Sequence, residues 1–305
     1  MIAKSLKENG MATLKGLVSV LLLIVNTLFW GVPLYLLTLL KLVTPTRRWR
    51  LRVLAGLNAI ALAWIATNNW WIRHWIKPCI SAQLPDGLSP RQWWLVIANH
   101  QSWTDIFVMQ YLLHGRTPMP KFFLKRELIF IPVIGLAWWA LEFPFMRRYT
   151  RQKLAGRPQL AERDRRATQR MCERAREMPM AIYNFVEGTR FTPAKRDRQA
   201  SPFQHLLRPK AGGTAQVLGL LGDRLSGILD VTLHYRSPCP NFWHFLCGRN
   251  DSVHMEARLL AVPAWMVSGD YHLDPHYKER FHSWLNALWQ EKDRALASSP
   301  FSSSS

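Results

Sequence analysis

At 305 residues the chain is long enough to bury a full α/β core with a terminal extension, so one main domain is expected rather than two. Its 40 Lys plus Arg against 20 Asp plus Glu leave a formal charge of +20, which calls for an anionic partner: nucleic acid, an anionic membrane surface or a phosphorylated substrate. Fifteen tryptophans favour the membrane, and four cysteines (Cys79, Cys172, Cys239, Cys247) without C-x-x-C spacing exclude a disulfide scaffold and fit a reducing compartment.

Residues 16–40 are 25 consecutive uncharged residues between Lys15 and Lys41, enough to cross a hydrocarbon core of ~30 Å. Lys4, Lys7 and Lys15 precede the run; Lys41, Arg47, Arg48, Arg50 and Arg52 flank its far end. It is too long for a cleaved signal and no small-residue cleavage site follows, so it reads as an uncleaved anchor with a kink at Pro33. A second uncharged run, 53–72, is interrupted by Asn58, Asn68 and Asn69 and ends among Trp70, Trp71 and Trp75, which reads as interfacial. A single crossing, or a re-entrant pair that never fully crosses, keeps the remaining chain on the side of the basic loop. Residues 1–80 are therefore expected as a membrane anchor, 81–297 as the folded domain and the serine-rich 298–305 as a disordered tail.

Beyond residue 81, turn residues punctuate shorter apolar runs. Strand-like pieces at 95–98, 180–186 and 228–235 alternate with helical stretches, which predicts an α/β domain with a mixed, mainly parallel sheet flanked by helices. Residues 128–141 are uncharged but only 14 long and broken by Pro132 and Gly135, so they fit a buried or interfacial helix rather than a spanning one. Residues 147–176 are Arg-rich with interspersed acids and read as a solvated helix face. No metal-binding pattern appears.

Two stretches carry chemistry. In WWLVIANHQSWTD, residues 93–105, an apolar strand runs into a helix that continues over 106–113, and the junction holds Asn99, His100 and Asp105. Ser102 and Asp105 fit the S-x-x-D start of a helix, where the dipole favours a carboxylate. A carboxylate fixed there folds back onto the His100 imidazole, sets its tautomer and stabilises the imidazolium, which makes His100 a general base. No G-x-S-x-G elbow surrounds Ser102, so it reads as a cap and not a nucleophile. In NFVEGTRFTP, residues 184–193, a strand runs into Glu187, Gly188, Thr189 and Arg190. The glycine lets a ligand approach the backbone, the arginine fork matches phosphate oxygens, and Glu187 is placed to orient that arginine. The amide near Gly188 is a candidate donor to an oxyanion.

Together these pieces resemble the glycerolipid acyltransferase family that includes bacterial lysophosphatidic acid acyltransferases. N-H-Q-S-W-T-D at residues 99–105 corresponds to the family's N-H-x4-D motif, and K-R-E-L with P-V-I-G, within 125–135, resembles its second block. Residues 143–147 resemble the strand and arginine that follow, F-V-E-G-T-R-F at 185–191 the third block, and Pro209, Lys210 and Gly212 a P-x-K-x-G-like stretch. The fourth block usually carries a proline, whereas this chain has L-D-V-T-L-H-Y at 229–235. That form, like W-L-N-A-L-W-Q-E-K-D at 284–293, resembles the branch containing lysocardiolipin acyltransferases.

The resemblance implies acyl transfer with His100 as base and Asp105 as its orienting acid, no cofactor, and acyl-CoA or acyl carrier protein as donor. It places Lys125, Glu187, Gly188, Thr189 and Arg190 at the acceptor phosphate, with Arg147 as a further contact. The acceptor is lysophosphatidic acid or another lysophospholipid such as lysophosphatidylglycerol or lysocardiolipin. Membrane lipids are the implied partners and the cytoplasmic face of the inner membrane the implied location. A basic nucleic-acid-binding protein would account for the charge but not for the anchor or the ordered blocks.

Overall fold

The computed structural model describes residues 2–43, 46–146, 158–237, 240–249, 252–267, 269–271 and 273–299. Among the described residues eight strands are formed: β1 (Ile80–Gln83), β2 (Trp93–Ala98), β3 (Pro120–Phe122), β4 (Leu124–Lys125), β5 (Phe145–Met146), β6 (Ala181–Phe185), β7 (Leu225–Tyr235) and β8 (Val253–Leu260). Six of them make one sheet in the order β1-β8-β7-β2-β6-β3, while β4 and β5 form a separate parallel pair. Every neighbouring pair in the large sheet is parallel except β7 with β8. This is the mixed, mainly parallel sheet expected from the alternation of apolar runs.

Strand β2 is central because its run WWLVIA is apolar at every position, so both faces can be buried. The two faces build two cores. Trp94, Val96 and Ala98 point to one with Leu229, Val231 and Leu233; Leu95 and Ile97 point to the other with Ile182 and Ile228. Helices close both faces: α1 (Ile2–Val43), α2 (Arg47–Trp71), α3 (Thr104–Leu113) and α4 (Ile134–Ala140) belong to the first half of the chain. They are followed by α5 (Pro158–Ala175), α6 (Pro193–Arg198), α7 (Ala211–Leu221), α8 (Phe242–Leu246), α9 (Ala264–Val267) and α10 (Pro275–Ala297).

The first two helices form an antiparallel pair. Asn26 Nδ2 donates to Asn68 Oδ1 (2.8 Å) and to the Trp64 carbonyl (3.1 Å), and Trp30 Nε1 donates to Thr67 Oγ1 (3.1 Å). At 42 residues α1 is about 63 Å long, roughly twice a hydrocarbon core. It does not stand away from the domain. Ser19 Oγ donates to the Leu246 carbonyl near one end, and Lys41 Nζ reaches the Ala140 carbonyl near the other. Its outer face stays apolar and exposed, with Leu17, Leu21, Leu28, Phe29, Val32, Leu36 and Leu39 all more than half accessible.

One face of the second apolar run packs on the domain, while Trp49 and Trp70 of the same helix stay exposed. Leu57, Ala61 and Ile65 of α2 are buried in the same cluster as Trp94 and Val96, so residues on both sides of position 80 share one core. Apolar spacing predicts burial but does not distinguish lipid from protein as the partner. Residues 128–141 are split in two: a 3-10 turn (Arg126–Phe130) and α4, broken where Pro132 lacks an amide donor and Val133 takes a positive φ of 64°. Phe130, Leu136 and Trp139 there remain exposed. In α5, Arg166, Arg170 and Arg174 face outwards, as a solvated face requires; residues 147–157 lie outside the described residues. So do residues 300–305 of the expected tail, while Ser298 and Ser299 follow directly on α10.

Candidate active site

The chain leaves β2 towards one face of the sheet and β6 towards the other. After β2 it enters α3, whose Val108, Met109 and Leu113 lie in the first core; after β6 it reaches α7, whose Ala215, Val217 and Leu218 lie in the second. These strands are adjacent and parallel, with Ala98 opposite Phe185, so a crevice opens between their carboxyl ends. His100 sits at one rim and residues 187–190 at the other. The rims are stitched together: the Phe191 amide donates to the His100 carbonyl at 2.7 Å, and the Val186 amide to that of Ala98 at 3.3 Å.

His100 Nδ1 lies 2.7 Å from Asp105 Oδ2. The same oxygen accepts from the backbone amides of Gln101 (2.7 Å) and Ser102 (3.0 Å), and Oδ1 accepts the Tyr235 hydroxyl at 2.5 Å. Asp105 is wholly buried, so four donors compensate the burial of its charge. An ionised carboxylate only accepts, which puts the imidazole proton on Nδ1 and leaves the Nε2 lone pair for chemistry. The His100 side chain keeps 14% accessibility and its ring stacks on Phe185 at 4.1 Å between centroids. Asn99 fixes the loop from below: its Oδ1 accepts from the Leu233 amide (2.8 Å) and its Nδ2 donates to the Leu233 carbonyl (3.0 Å). Ser102 is buried one residue before the N-cap of α3, which Trp103 holds, and its Oγ accepts from the Thr104 amide (3.2 Å) in the turn that leads into the helix.

The second stretch departs from expectation at two residues. Glu187 does not orient Arg190. It is completely buried and accepts the amides of His100 (3.3 Å) and Leu207 (3.4 Å), and burial pushes its carboxyl well above the usual range. Charge pairing suggests a link between neighbours in sequence, but Glu187 is buried whereas Arg190 is exposed. The Gly188 amide is also spent, donating to the Phe185 carbonyl at 2.8 Å, so it does not serve an oxyanion. Gly188 itself has φ +71°, and a Cβ there would meet Lys210 Nζ at 3.1 Å, so the position favours glycine on two counts.

Arg190 and Lys195 share a cleft of about 420 Å³ with Gln101, Trp103, Phe191 and Phe242. The Arg190 guanidinium lies 5.5 Å from the Trp103 ring centroid. Lys195, on α6, donates to the Arg190 carbonyl (2.7 Å) and to Thr189 Oγ1 (3.2 Å). Burial first, then the charges of Arg190, Arg198 and Lys125, hold the Lys195 amine below its usual range, which places Lys125 in the same cationic field. Lys195 and Tyr235 were missed from the sequence. A lysine five positions after Arg190 is one helical start beyond the turn, and the capping Thr192-Pro193 pair was the signal that would have folded it back. Arg147 lies outside the described residues.

An imidazole backed by a buried carboxylate, one residue before a loop that lines a cation-bearing cleft at the carboxyl ends of parallel strands, is the arrangement of an α/β enzyme site. The Acyltransferase family model matches residues 81–233, and the chain belongs to that family. Among similar proteins, the 1-acyl-sn-glycerol-3-phosphate acyltransferase delta of Homo sapiens is 26% identical over 213 residues, covering 65% of this chain and 51% of that protein. The gamma enzyme of Mus musculus is 28% identical over 215 residues, with 65% and 51% covered. The chain thus spans about half the length of the curated relatives it matches. The crystal structure of the 1-acyl-sn-glycerophosphate (LPA) acyltransferase PlsC of Thermotoga maritima shares the fold, with a TM-score of 0.50 at 15% identity over 92% of this chain and 98% of that one.

Proposed function

We propose that this protein transfers a fatty acyl group from acyl-CoA, or from acyl carrier protein, to the free hydroxyl of lysophosphatidic acid, giving phosphatidic acid. The observation that carries the reading is the His100–Asp105 pair at 2.7 Å, in the same loop as Gln101, Ser102 and Trp103, which line the cleft together with Arg190 and Lys195. The similar proteins are named as 1-acyl-sn-glycerol-3-phosphate acyltransferases, which supports the same acceptor.

In this reading His100 Nε2 removes the acceptor hydroxyl proton as the oxygen attacks the thioester carbonyl. Asp105 stabilises the imidazolium that forms. The tetrahedral intermediate collapses with loss of the thiolate, which takes the proton back from His100, and no covalent acyl-enzyme is needed because the thioester is already activated. Arg190 and Lys195 hold the acceptor phosphate, with Lys125 adding to their field; Thr189 and Gly188 shape the turn that presents them. Glu187 acts from beneath by fixing the His100 amide.

The exposed apolar face of α1, with Phe130 and with Leu136 and Trp139 of α4, inserts into the membrane, and the re-entrant α1–α2 pair keeps the domain on one side of it. The basic α1–α2 turn then meets anionic headgroups on the cytoplasmic face of the inner membrane. The departure at residues 229–235 favours a second acceptor class, lysophosphatidylglycerol or lysocardiolipin. Competition among these acceptors for one labelled acyl-CoA distinguishes them: lysophosphatidic acid is expected to suppress acylation of the others, and the reverse order would move the assignment to a phosphodiester acceptor.

A further inference from the structure

The hydroxyl of Tyr235 lies 2.5 Å from Asp105 Oδ1, the carboxylate oxygen that does not face the imidazole. Tyr235 closes β7 at the stretch where the chain departs from its family's usual proline-bearing block, so the resemblance assigns it no role. The side chain is buried, and its strand end is held on two sides: Leu233 is bound through both amide and carbonyl by Asn99, and Tyr235 itself pairs with Val253 of β8. The hydroxyl therefore arrives at Asp105 as a fixed donor.

The division of labour on the carboxylate is uneven. Oδ2 takes the imidazole and two backbone amides of its own loop, and Tyr235 is the donor to Oδ1 from a distant strand. A short hydrogen bond to Oδ1 draws negative charge away from Oδ2 and stops rotation about the Cβ–Cγ bond. Both effects act on His100, one on how strongly the imidazolium is stabilised and one on where the ring points.

We propose that Tyr235 is a positioning residue of the acyl-transfer reaction, acting through Asp105 on His100. The proposal rests on the reading of His100 as the base. Tyr235→Phe keeps the ring and removes only the donor. It is expected to lower kcat about 10-fold, as loss of a group that orients a reacting side chain typically does, with KM for both substrates within about 2-fold. With Oδ1 no longer sharing its charge, the imidazolium is favoured, and the acid side of the kcat–pH profile moves to higher pH. Replacement of Tyr235 by 3-fluorotyrosine preserves the packing, strengthens the donor and moves the same limb to lower pH, which keeps the test open if Tyr235→Phe folds poorly. A merely structural tyrosine would leave both profiles superimposed on the wild type.

The experiment is kinetic, on the full chain in membranes, with His100→Ala alongside. Loss of activity in His100→Ala with opposite displacements in the two Tyr235 variants supports the proposal. Loss in His100→Ala with unmoved profiles overturns it and leaves the base assignment standing. Full activity in His100→Ala overturns the base assignment and the role of Tyr235 with it.

Discussion

The Arg190 guanidinium lies over the Trp103 ring, 5.5 Å from its centroid, so a residue from the loop after β6 is braced by one from the loop after β2. Arg190 lines the cleft without a carboxylate partner from the turn, since Glu187 is buried and accepts the His100 amide. Arg190→Ala is therefore expected to lower acceptor kcat/KM by about 2 to 4 kcal/mol of transition-state stabilisation, the scale of a charge-assisted contact to a desolvated phosphate. Circular dichroism should be unchanged. Unaltered acceptor kinetics would remove Arg190 from the phosphate site.

Lys195 spends two donors on the turn, at Thr189 Oγ1 and the Arg190 carbonyl, and keeps its charge at the cleft. Lys195→Met should raise the acceptor KM about 10-fold and weaken the dependence of that KM on salt, because one screened cation has been lost. Steady-state assays at two ionic strengths check this, and an unchanged salt response would make Lys195 a purely structural clamp.

Glu187 predicts a different kinetic signature. Each of its two oxygens accepts one amide, and a glutamine supplies only one acceptor, so Glu187→Gln loosens either His100 or Leu207. The expected outcome is a kcat lowered about 10-fold with the acceptor KM unchanged. A raised acceptor KM with kcat intact would instead restore Glu187 to the phosphate site.

Lys121 gives a pH dependence. Its amine is buried between Asn58 Oδ1 and the Leu141 carbonyl, and burial pushes its pKa down to about 7. The unfolded chain holds that proton up to roughly pH 10.4, so between these values the unfolded state binds more protons and folding is favoured as pH rises. Relative to Lys121→Met, the wild type should gain stability from pH 7 to 10. Parallel denaturation curves for the two proteins across that range would show that the amine stays charged when folded.

Much of this was legible in the sequence because it is local. The run at 93–98 is apolar at every residue, which only a strand covered on both faces sustains, and the five-residue spacing of His100 and Asp105 spans one loop and one helical turn. What escaped depends on tertiary packing. Tyr235 is 130 residues from Asp105, and no local pattern marks a tyrosine as its donor. Glu187 and Arg190 looked like partners because they are neighbours, but a glycine at φ +71° between them reverses the chain. Two stretches noted separately, 229–235 and 284–293, meet in the fold: Lys292 Nζ lies 2.7 Å from Asp230 Oδ1, both buried. Asp293 and Trp289 from the same helix hold residues 204–207, and the Leu207 amide in turn holds Glu187. A brace of this kind has no periodicity to betray it.

The most direct test of the account is acyl transfer from oleoyl-CoA to lysophosphatidic acid by membranes carrying wild type or His100→Ala at matched expression. The proposed reaction predicts phosphatidic acid from the wild type, and His100 as its base predicts a loss of at least about 100-fold in the variant. Equal rates in both would contradict the assignment of His100 as the base.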